Sequence, residues 1–273
     1  MSVISKAKKV TTRTFFRKKR KGEKLAVLTA YDYYTARILE QSGVDSLLVG
    51  DSLNMVLYGH KSTLSAELDK MLFHTKAVAD GSERALVIAD MPFLSYQSSI
   101  ETAIINAGRF LKEAGAEAVK LEGGLEIVPT VKRLIEVGIP VMGHIGLTPQ
   151  AIHRFGGARV QGREEAHKNY YIDSAQALDE AGCFSCVLEL MTTPLAEKIS
   201  KNVKMATIGI GAGKECDGQV LVINDIIGLY TEFKPRFVRR YADVAGIIEK
   251  AAGQFVEDVR RGDYPTEEES FPE

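Results

Sequence analysis

The sequence predicts an α/β fold of the (β/α)₈ TIM-barrel type, built as a single domain with an N-terminal helical extension. Short β-rich apolar runs alternate eight times with segments whose apolar residues recur every three or four positions. Several of the helical segments end at a glycine just before the next strand. Eight parallel strands can close into a barrel, and a chain of 273 residues suits one such domain.

The predicted elements divide the domain, residues 1–273, into an extension, a barrel and a tail. Residues 1–24 are basic and are expected to form a helical extension at the bottom of the barrel; a nucleic-acid arm or a transit peptide is the less favoured alternative. Residues 262–273 are expected to be a solvated tail. The strands are predicted at 25–30, 46–50, 86–89, 118–121, 140–143, 184–190, 205–210 and 220–223. Helices are predicted at 34–42, 98–114, 127–137 and 172–181, followed by Gly43, Gly115, Gly138 and Gly182.

An open, doubly wound sheet is the alternative fold. Its glycine fingerprint would follow the first strand, where the chain reads Thr29-Ala30-Tyr31-Asp32 and has no glycine. A glycine-rich segment does occur at 209–213, after the seventh strand, where it suits a tight turn or an anion-binding loop of a barrel. The barrel is therefore favoured.

Composition limits the partners and the compartment. A net charge of −1 gives no field for a polyanion, so nucleic acid is not an expected partner. No run reaches the roughly 20 apolar residues of a membrane span, and no secretory signal is evident, so we expect a cytoplasmic protein. The odd number of cysteines, Cys183, Cys186 and Cys216, argues against a disulfide framework. Cys183 and Cys186 form a C-x-x-C pair that leads into an apolar run, which favours buried strand cysteines over thiol chemistry.

Acidic side chains stand at the carboxyl ends of successive strands, where barrel enzymes place their active sites. Asp51 follows the second strand, Asp90 the third and Glu122 the fourth, and Lys120 should point to the same side as Glu122. Three converging carboxylates would repel one another without a cation, and an all-oxygen set suits Mg²⁺. Zinc would require partners such as His144, which is better placed as an outer hydrogen-bond donor.

Glu189 differs from these acids because it lies among Val187, Leu188 and Leu190 in a strand that should be apolar. Burial disfavours a charged carboxylate, which suits general-base work; a structural ion pair with Lys120 or an arginine is the alternative. Lys120 and Ser52 are candidates for binding an anionic substrate, and a Schiff-base role for Lys120 stays possible. Such a set of residues suits metal-assisted deprotonation of a 2-oxo acid next to its carbonyl group, followed by attack of the enolate on an electrophile.

Several long motifs resemble the ketopantoate hydroxymethyltransferase family, and the resemblance runs in register from about Arg13 to the tail. The longest is VGDSLNMVLYGH at 49–60, and the others lie at 28–32, 89–93, 119–124, 143–150, 155–157, 160–163, 208–213 and 217–219. The chain departs from the family pattern at Asn54, at His153-Arg154 and at 191–194. These departures affect the expected cofactor fit and rate more than the type of reaction.

The resemblance implies a TIM barrel that transfers a one-carbon unit from 5,10-methylenetetrahydrofolate to 3-methyl-2-oxobutanoate, forming ketopantoate for pantothenate and coenzyme A synthesis. It also implies one Mg²⁺ per subunit and a cytoplasmic homo-oligomer, typically a decamer. The matched positions imply three roles. Asp51, Asp90 and Glu122 serve the metal; Asp51, Ser52, Asp90 and Lys120 border the substrate; and Glu189 accepts the C3 proton.

Two alternatives remain open at this stage. One is a Mg²⁺-dependent C–C lyase or phosphomutase of the isocitrate lyase type, which typically carries a catalytic cysteine on a mobile loop; no cysteine of this sequence lies in such a loop. The other is a metabolite-binding barrel without turnover, which we would expect to lack at least one of the acids.

Overall fold

A closed barrel of eight parallel strands in sequence order forms the centre of the protein, which is described by a computed structural model over residues 8–272. The strands are β1 (Leu25–Thr29), β2 (Ser46–Val49), β3 (Leu86–Asp90), β4 (Ala118–Glu122), β5 (Val141–Gly146), β6 (Ser185–Glu189), β7 (Ala206–Ile210) and β8 (Gly218–Leu221). The barrel closes where β1 pairs with β8. The predicted fold class and all eight predicted strands are confirmed, with small shifts at the strand ends.

Helices alternate with the strands along the chain, as predicted, and two more follow β8. They are α1 (Thr12–Lys21), α2 (Tyr33–Gln41), α3 (Leu53–Val56), α4 (Leu68–Asp80), α5 (Ile100–Lys112), α6 (Val128–Glu136), α7 (Ile152–Phe155), α8 (Glu165–Ala181), α9 (Thr193–Asn202), α10 (Ile223–Ile226) and α11 (Val244–Arg261). The sequence patterns had located α2, α5, α6 and the second half of α8. The four predicted stop glycines all adopt positive φ, as a helix end followed by a sharp turn requires.

The N-terminal helix closes the bottom of the barrel. Phe15 on α1 is fully buried and packs edge-on against Phe184, with ring centroids 5.2 Å apart, in a cluster with Leu25 and other residues at the strand starts. On the same helix, Lys18 pairs with Asp45 at 2.6 Å. Part of the basic charge of this segment is therefore used within the fold, as expected for a helix covering the bottom of the barrel; residues 1–7 of the predicted extension lie outside the described part.

The face of β4 that carries Ala118, Lys120 and Glu122 changes from apolar at the start of the strand to charged at its carboxyl end. Ala118 belongs to the apolar cluster inside the barrel, whereas Lys120 and Glu122 on the same face of β4 are charged and lie nearer its carboxyl end. The three cysteines are buried and free, and burial raises the pKa of Cys183 to about 12. Cys186 lies in β6 as expected, whereas Cys183 and Cys216 lie in the segments just before β6 and β8. Burial raises the pKa of all three thiols, so none has the low-pKa environment of a reactive thiol.

The chain separates into two compact units, Met1–Val222, which contains the barrel, and Ile223–Glu273. In the second unit, α11 has no buried residue, and Ile247, Ile248 and Phe255 are among its exposed apolar side chains. The single domain over 1–273 stays a prediction. Within residues 8–272, none of the helices combines the length and apolar character needed to cross a bilayer.

Candidate active site

The predicted site residues lie on five neighbouring strands, at the carboxyl end of the barrel. Asp90, Glu122 and Glu189 are the last residues of β3, β4 and β6, and His144 lies within β5. Asp51 follows β2 by two positions. The strand register places Asp90 beside Lys120 and Glu122 beside His144. The structure thus brings the residues into one arc, as the order of the strands predicted.

Lys120 is the positive centre of this arc. Its Nζ donates a hydrogen bond to Oδ1 of Asp90 at 2.7 Å and lies 3.7 Å from Oε1 of Glu122. The side chain is only 5% exposed, and burial alone would lower the pKa of Lys120. The charges of Asp90, Glu122 and Asp51 outweigh burial and raise this pKa above its ordinary value. Lys120 is therefore a fixed cation at neutral pH and a poor candidate for a Schiff-base nucleophile, which requires a free amine.

The carboxylates carry more negative charge than Lys120 can neutralise. Burial, together with the charges of Asp90 and Glu122, raises the pKa of Asp51 well above its ordinary value. Burial also raises the pKa of Asp90, although Lys120 opposes the shift. For Glu122 the balance is reversed, because His144 and Lys120 outweigh burial and lower its pKa. The end of the arc at Asp51 therefore lacks positive charge.

His144 connects this cluster to Glu189. Its Nδ1 lies 3.3 Å from Oε1 of Glu122 and 3.2 Å from Nζ of Lys120, and its Nε2 lies 3.1 Å from Oε2 of Glu189. The last contact is within ion-pair distance but is not aligned as a hydrogen bond. Burial and Lys120 lower the pKa of His144, but the two glutamates outweigh them and raise it to about 9. The partner of Glu189 is thus a histidine, and not the lysine or arginine considered from the sequence.

The backbone around Glu189 is unusually constrained. A Cβ at Gly146, whose φ is +102°, would lie 2.2 Å from the carbonyl oxygen of Glu189, so only glycine lets β5 approach β6 so closely. Leu190, directly after Glu189, has a φ of 44° although it carries a Cβ. Its N–H donates to Ile210, and its carbonyl accepts from Gln161. Residues held in this region are strained and concentrate at functional sites.

Gln150 and Tyr96 join the site without having been assigned a role from the sequence. Nε2 of Gln150 donates to Oδ2 of Asp51 at 3.0 Å, and its backbone N–H donates to Oε2 of Glu122 at 2.9 Å. Its Oε1 accepts from Tyr96 at 2.9 Å, and the backbone N–H of Glu122 donates to the Tyr96 hydroxyl at 3.0 Å. Gln150 therefore fixes two of the predicted metal ligands at once. The only sequence feature that could have indicated this role is the position of Gln150 at the end of the family-like segment 143–150.

Ser52 and Asn54 lie beside Asp51 on the short helix α3 and the turn before it. The hydroxyl groups of Ser52 and Tyr31 are 2.9 Å apart. Asn54 is buried, and its amide donates to the carbonyl of Ser62 and to Oγ of Ser65, both at 2.9 Å. The departure at Asn54 thus gives a side chain that holds the following loop, which a glycine could not do.

The residues suit a hard cation in kind, although they do not form a closed cage. Within residues 8–272, no three His, Cys, Asp or Glu side chains converge closely enough to hold an ion by themselves. Mg²⁺ is commonly bound by one or two carboxylates, with waters and substrate oxygens completing its shell. The excess negative charge at Asp51 and the all-oxygen donors fit such an ion.

A large cavity adjoins the arc at Glu122. Its volume is about 1050 Å³, and its walls include the buried Glu122 and Gln150 and exposed residues such as Arg159 and Arg163. We call this space the outer cavity. Of the predicted site residues, Glu122 is the one that lines it, so the cavity gives this carboxylate a route to solvent.

Comparison with known proteins identifies the family. The sequence model of ketopantoate hydroxymethyltransferase matches residues 9–267. The 3-methyl-2-oxobutanoate hydroxymethyltransferase of Syntrophus aciditrophicus is 52% identical over 271 residues, covering 99% of this chain and 100% of that protein. The enzyme of the same name from Chlorobaculum tepidum is 53% identical over 266 residues, covering 96% of each chain.

Among solved structures, the fold resembles that of a phosphonopyruvate hydrolase in complex with oxalate and Mg²⁺. The TM-score is 0.60 at 12% identity, covering 94% of this chain and 92% of that one, so the likeness concerns the fold alone. The family match over residues 9–267 and the high identity over nearly the whole chain are much more specific. This chain is therefore an enzyme of the ketopantoate hydroxymethyltransferase family.

Proposed function

We propose that the protein transfers a hydroxymethyl group from 5,10-methylenetetrahydrofolate to 3-methyl-2-oxobutanoate, forming ketopantoate in the synthesis of pantothenate and coenzyme A. The names of relatives at about half identity support the reaction. The observation that carries the proposal is the arc itself, in which Glu189 stands apart from a buried cluster of oxygen ligands and one fixed cation. Removing a proton next to a carbonyl group requires a base to accept the proton and positive charge to stabilise the enolate that forms.

Glu189 is the proposed base. Its carboxylate is 15% exposed, so it can be reached from the site, and the nearby His144 limits its movement. In the proposed reaction Glu189 takes the C3 proton, and the electron pair of the C–H bond forms the enolate. The enolate carbon then bonds to the methylene carbon of the donor as the bond from that carbon to N10 breaks. The hydroxyl group of a water replaces N5 on the same carbon, which breaks the second C–N bond and gives the hydroxymethyl group. The C3 proton and the remaining proton of the water end on the two nitrogens of tetrahydrofolate.

Lys120 and Ser52 are the proposed partners of the substrate carboxylate. Lys120 keeps its charge at neutral pH, which suits an anion, and Ser52 has a hydroxyl group beside Asp51 at the same end of the arc. Both donors are held in place by neighbours, Lys120 by Asp90 and Ser52 by Tyr31. The substrate would therefore be oriented without much movement of the protein.

Asp51 and Asp90 are the proposed direct Mg²⁺ ligands, with Glu122 acting through water and His144 as an outer partner. When bound, one Mg²⁺ per subunit would act as a Lewis acid on the keto and carboxylate oxygens. The oxygen-rich donors and the charge imbalance at Asp51 support this assignment. The Mg²⁺ in the phosphonopyruvate hydrolase complex supports it by analogy of fold.

Isotope exchange tests the proposal without requiring the donor. Incubation with 3-methyl-2-oxobutanoate in D₂O should exchange the C3 proton in the presence of Mg²⁺ only, and Glu189→Gln should slow the exchange by about 10²–10⁴-fold. Glu197→Gln, an exposed change on α9 outside the site, is the matched control and should exchange at the wild-type rate. Exchange that persists without metal, or in Glu189→Gln, would refute the assigned roles. Formation of ketopantoate only when the folate is added would then establish the transfer.

The expected quaternary structure and compartment belong to the same proposal. We expect a cytoplasmic homo-oligomer, typically a decamer. The apolar side chains that α11 exposes support contact with another subunit, and they do not bear on the compartment or on the number of subunits. Light scattering on the purified full chain measures its mass directly. A monomer would contradict this part of the proposal and leave the chemistry unaffected.

A further inference from the structure

The segment between α7 and α8 runs alongside the residues that follow Glu189. The backbone N–H of Gln161 donates to the carbonyl oxygen of Leu190 at 2.6 Å, and the carbonyl oxygen of Gln161 accepts from the N–H of Thr192 at 3.2 Å. These two hydrogen bonds pair Gln161 with Met191 in the parallel direction. The pairing continues the sheet by a short step beyond β6, directly after the proposed base.

Leu190 depends on this pairing because its φ of 44° is unfavourable for a residue with a Cβ. A strained conformation persists only where its surroundings fix it. The N–H of Leu190 donates to the carbonyl oxygen of Ile210 at 2.9 Å, and Gln161 supplies the hydrogen bond to its carbonyl oxygen. Without Gln161, Leu190 could return to a negative φ, and this rotation would turn the preceding peptide. The direction of the Glu189 carboxylate therefore depends on a contact outside β6.

Tyr171 on α8 fixes the side chain of Gln161, and both side chains are buried. The Tyr171 hydroxyl donates to Oε1 of Gln161 at 2.9 Å, and Nε2 of Gln161 donates to the carbonyl oxygen of Arg159 at 2.8 Å. Burial raises the pKa of Tyr171 to about 12, so its hydroxyl group keeps its proton at neutral pH. The same hydroxyl lies 3.4 Å from the carbonyl oxygen of Gly146, the glycine that packs against the backbone of Glu189. Tyr171 thus contacts both segments that fix this backbone.

We infer that Gln161 and Tyr171 are positioning residues for Glu189. Tyr171 holds Gln161 in place, Gln161 fixes Leu190, and the conformation of Leu190 sets the direction of the carboxylate before it. The inference rests on the proposed function, which makes Glu189 the base but gives neither positioning residue a role. In the described part of the chain, the side chains of Gln161 and Tyr171 form no hydrogen bond with Glu189. Their effect should therefore fall on the rate of proton transfer and not on binding of the keto acid.

Tyr171→Phe tests the inference because it removes one hydroxyl group and keeps the buried ring. Without a folate, the kcat for exchange of the C3 proton of 3-methyl-2-oxobutanoate in D₂O should fall roughly 10–100-fold, since a misplacement of about 1 Å can cost this much. The KM for the keto acid should stay the same. Gln161→Leu should have the same effect, and the double variant should lose no more than either single variant, because both changes remove the same hydrogen bond.

Amide hydrogen exchange measures the contact itself, independently of activity. In mass spectrometry of the peptide that contains Gln161, the wild type should be protected and Tyr171→Phe should exchange faster. Tyr170→Phe is the matched control, because it makes the same change at the neighbouring position and removes only the hydrogen bond to Oε2 of Glu126. The control should keep the wild-type rate of C3 proton exchange and the wild-type protection.

Several results would overturn the inference. They are a wild-type kcat in Tyr171→Phe, a raised KM with an unchanged kcat, additive losses in the double variant, and unchanged protection of the peptide that contains Gln161. An equal loss in Tyr170→Phe would also overturn it, because the effect would then not depend on the contact with Gln161. The proposed function fails by a different result, C3 proton exchange that persists in Glu189→Gln, so the two failures can be told apart.

Discussion

Gln150→Leu tests whether the buried amide network positions the metal ligands. Leucine keeps most of the volume of the buried side chain but removes the donor to Oδ2 of Asp51. The backbone hydrogen bond from residue 150 to Glu122 is retained. The variant should therefore fold, since the single proton of the Tyr96 hydroxyl, for which Oε1 of Gln150 and the carbonyl of Glu122 are both within reach, can go to the carbonyl of Glu122.

The magnitude follows from the charge on Asp51. A hydrogen bond to a charged group contributes about 1.5–3 kcal/mol, and each 1.4 kcal/mol is a factor of ten in affinity. Without this donor, the charged form of Asp51 is less favoured, and its pKa, already raised by burial, should rise further. Because a metal must displace the proton, the Mg²⁺ concentration for half-maximal activity should increase by roughly 10–100-fold, and most strongly at acidic pH.

The assay is a Mg²⁺ titration of ketopantoate formation at several pH values. Gln97→Leu is the matched control, because Gln97 donates only to Oε1 of Gln150 and leaves the contact with Asp51 intact. A Gln150→Leu enzyme with wild-type Mg²⁺ dependence at every pH would refute the reasoning. An equal effect in Gln97→Leu would attribute the change to general loosening of the loop.

The remaining predictions concern the metal-free protein. Because the pKa of Asp51 is raised, ionisation of Asp51 destabilises the folded protein as the pH rises through that pKa. Asp51→Asn should therefore raise the free energy of unfolding of the metal-free protein at pH 7 by about 0.5–2 kcal/mol, measured by urea unfolding, and should abolish activity. A less stable variant would contradict the excess of negative charge at Asp51. The raised pKa of His144 acts in the same direction, with its stabilising effect complete below about pH 6.5 and lost as the pH rises through about 9. Between about pH 6.5 and 9, the free energy of unfolding should change less with pH in His144→Gln than in the wild type. The exposed control His153→Gln should follow the wild type. The same pH dependence in all three proteins would exclude a charged His144.

The barrel and its ring of acids could be predicted because both are local in sequence. Each strand is a short apolar run, and an acid such as Asp90 follows directly at the strand end, where a barrel has its active site. The positions of Lys120 and Glu122 on one face follow from the two-residue period of a strand. No tertiary information was needed for either.

The remainder of the site depends on contacts between distant segments. Gln150 reaches Asp51 across 99 positions, and nothing in the turn around it indicates which carboxylate it will bind. The pairing of His144 with Glu189 requires β5 and β6 to be in a particular register. The helices α4, α9 and α11 were not singled out, since helix patterns are weaker where packing decides the structure.

The helix α1 that seals the bottom of the barrel has a kinetic consequence. With Phe15 filling the space between the strand starts, the residues from 8 to 272 leave the carboxyl end of the barrel as the side from which the carboxylate arc is approached. Two substrates that react at the arc would share this side. The one that binds deeper would therefore have to arrive first, and the product formed from it would have to leave last.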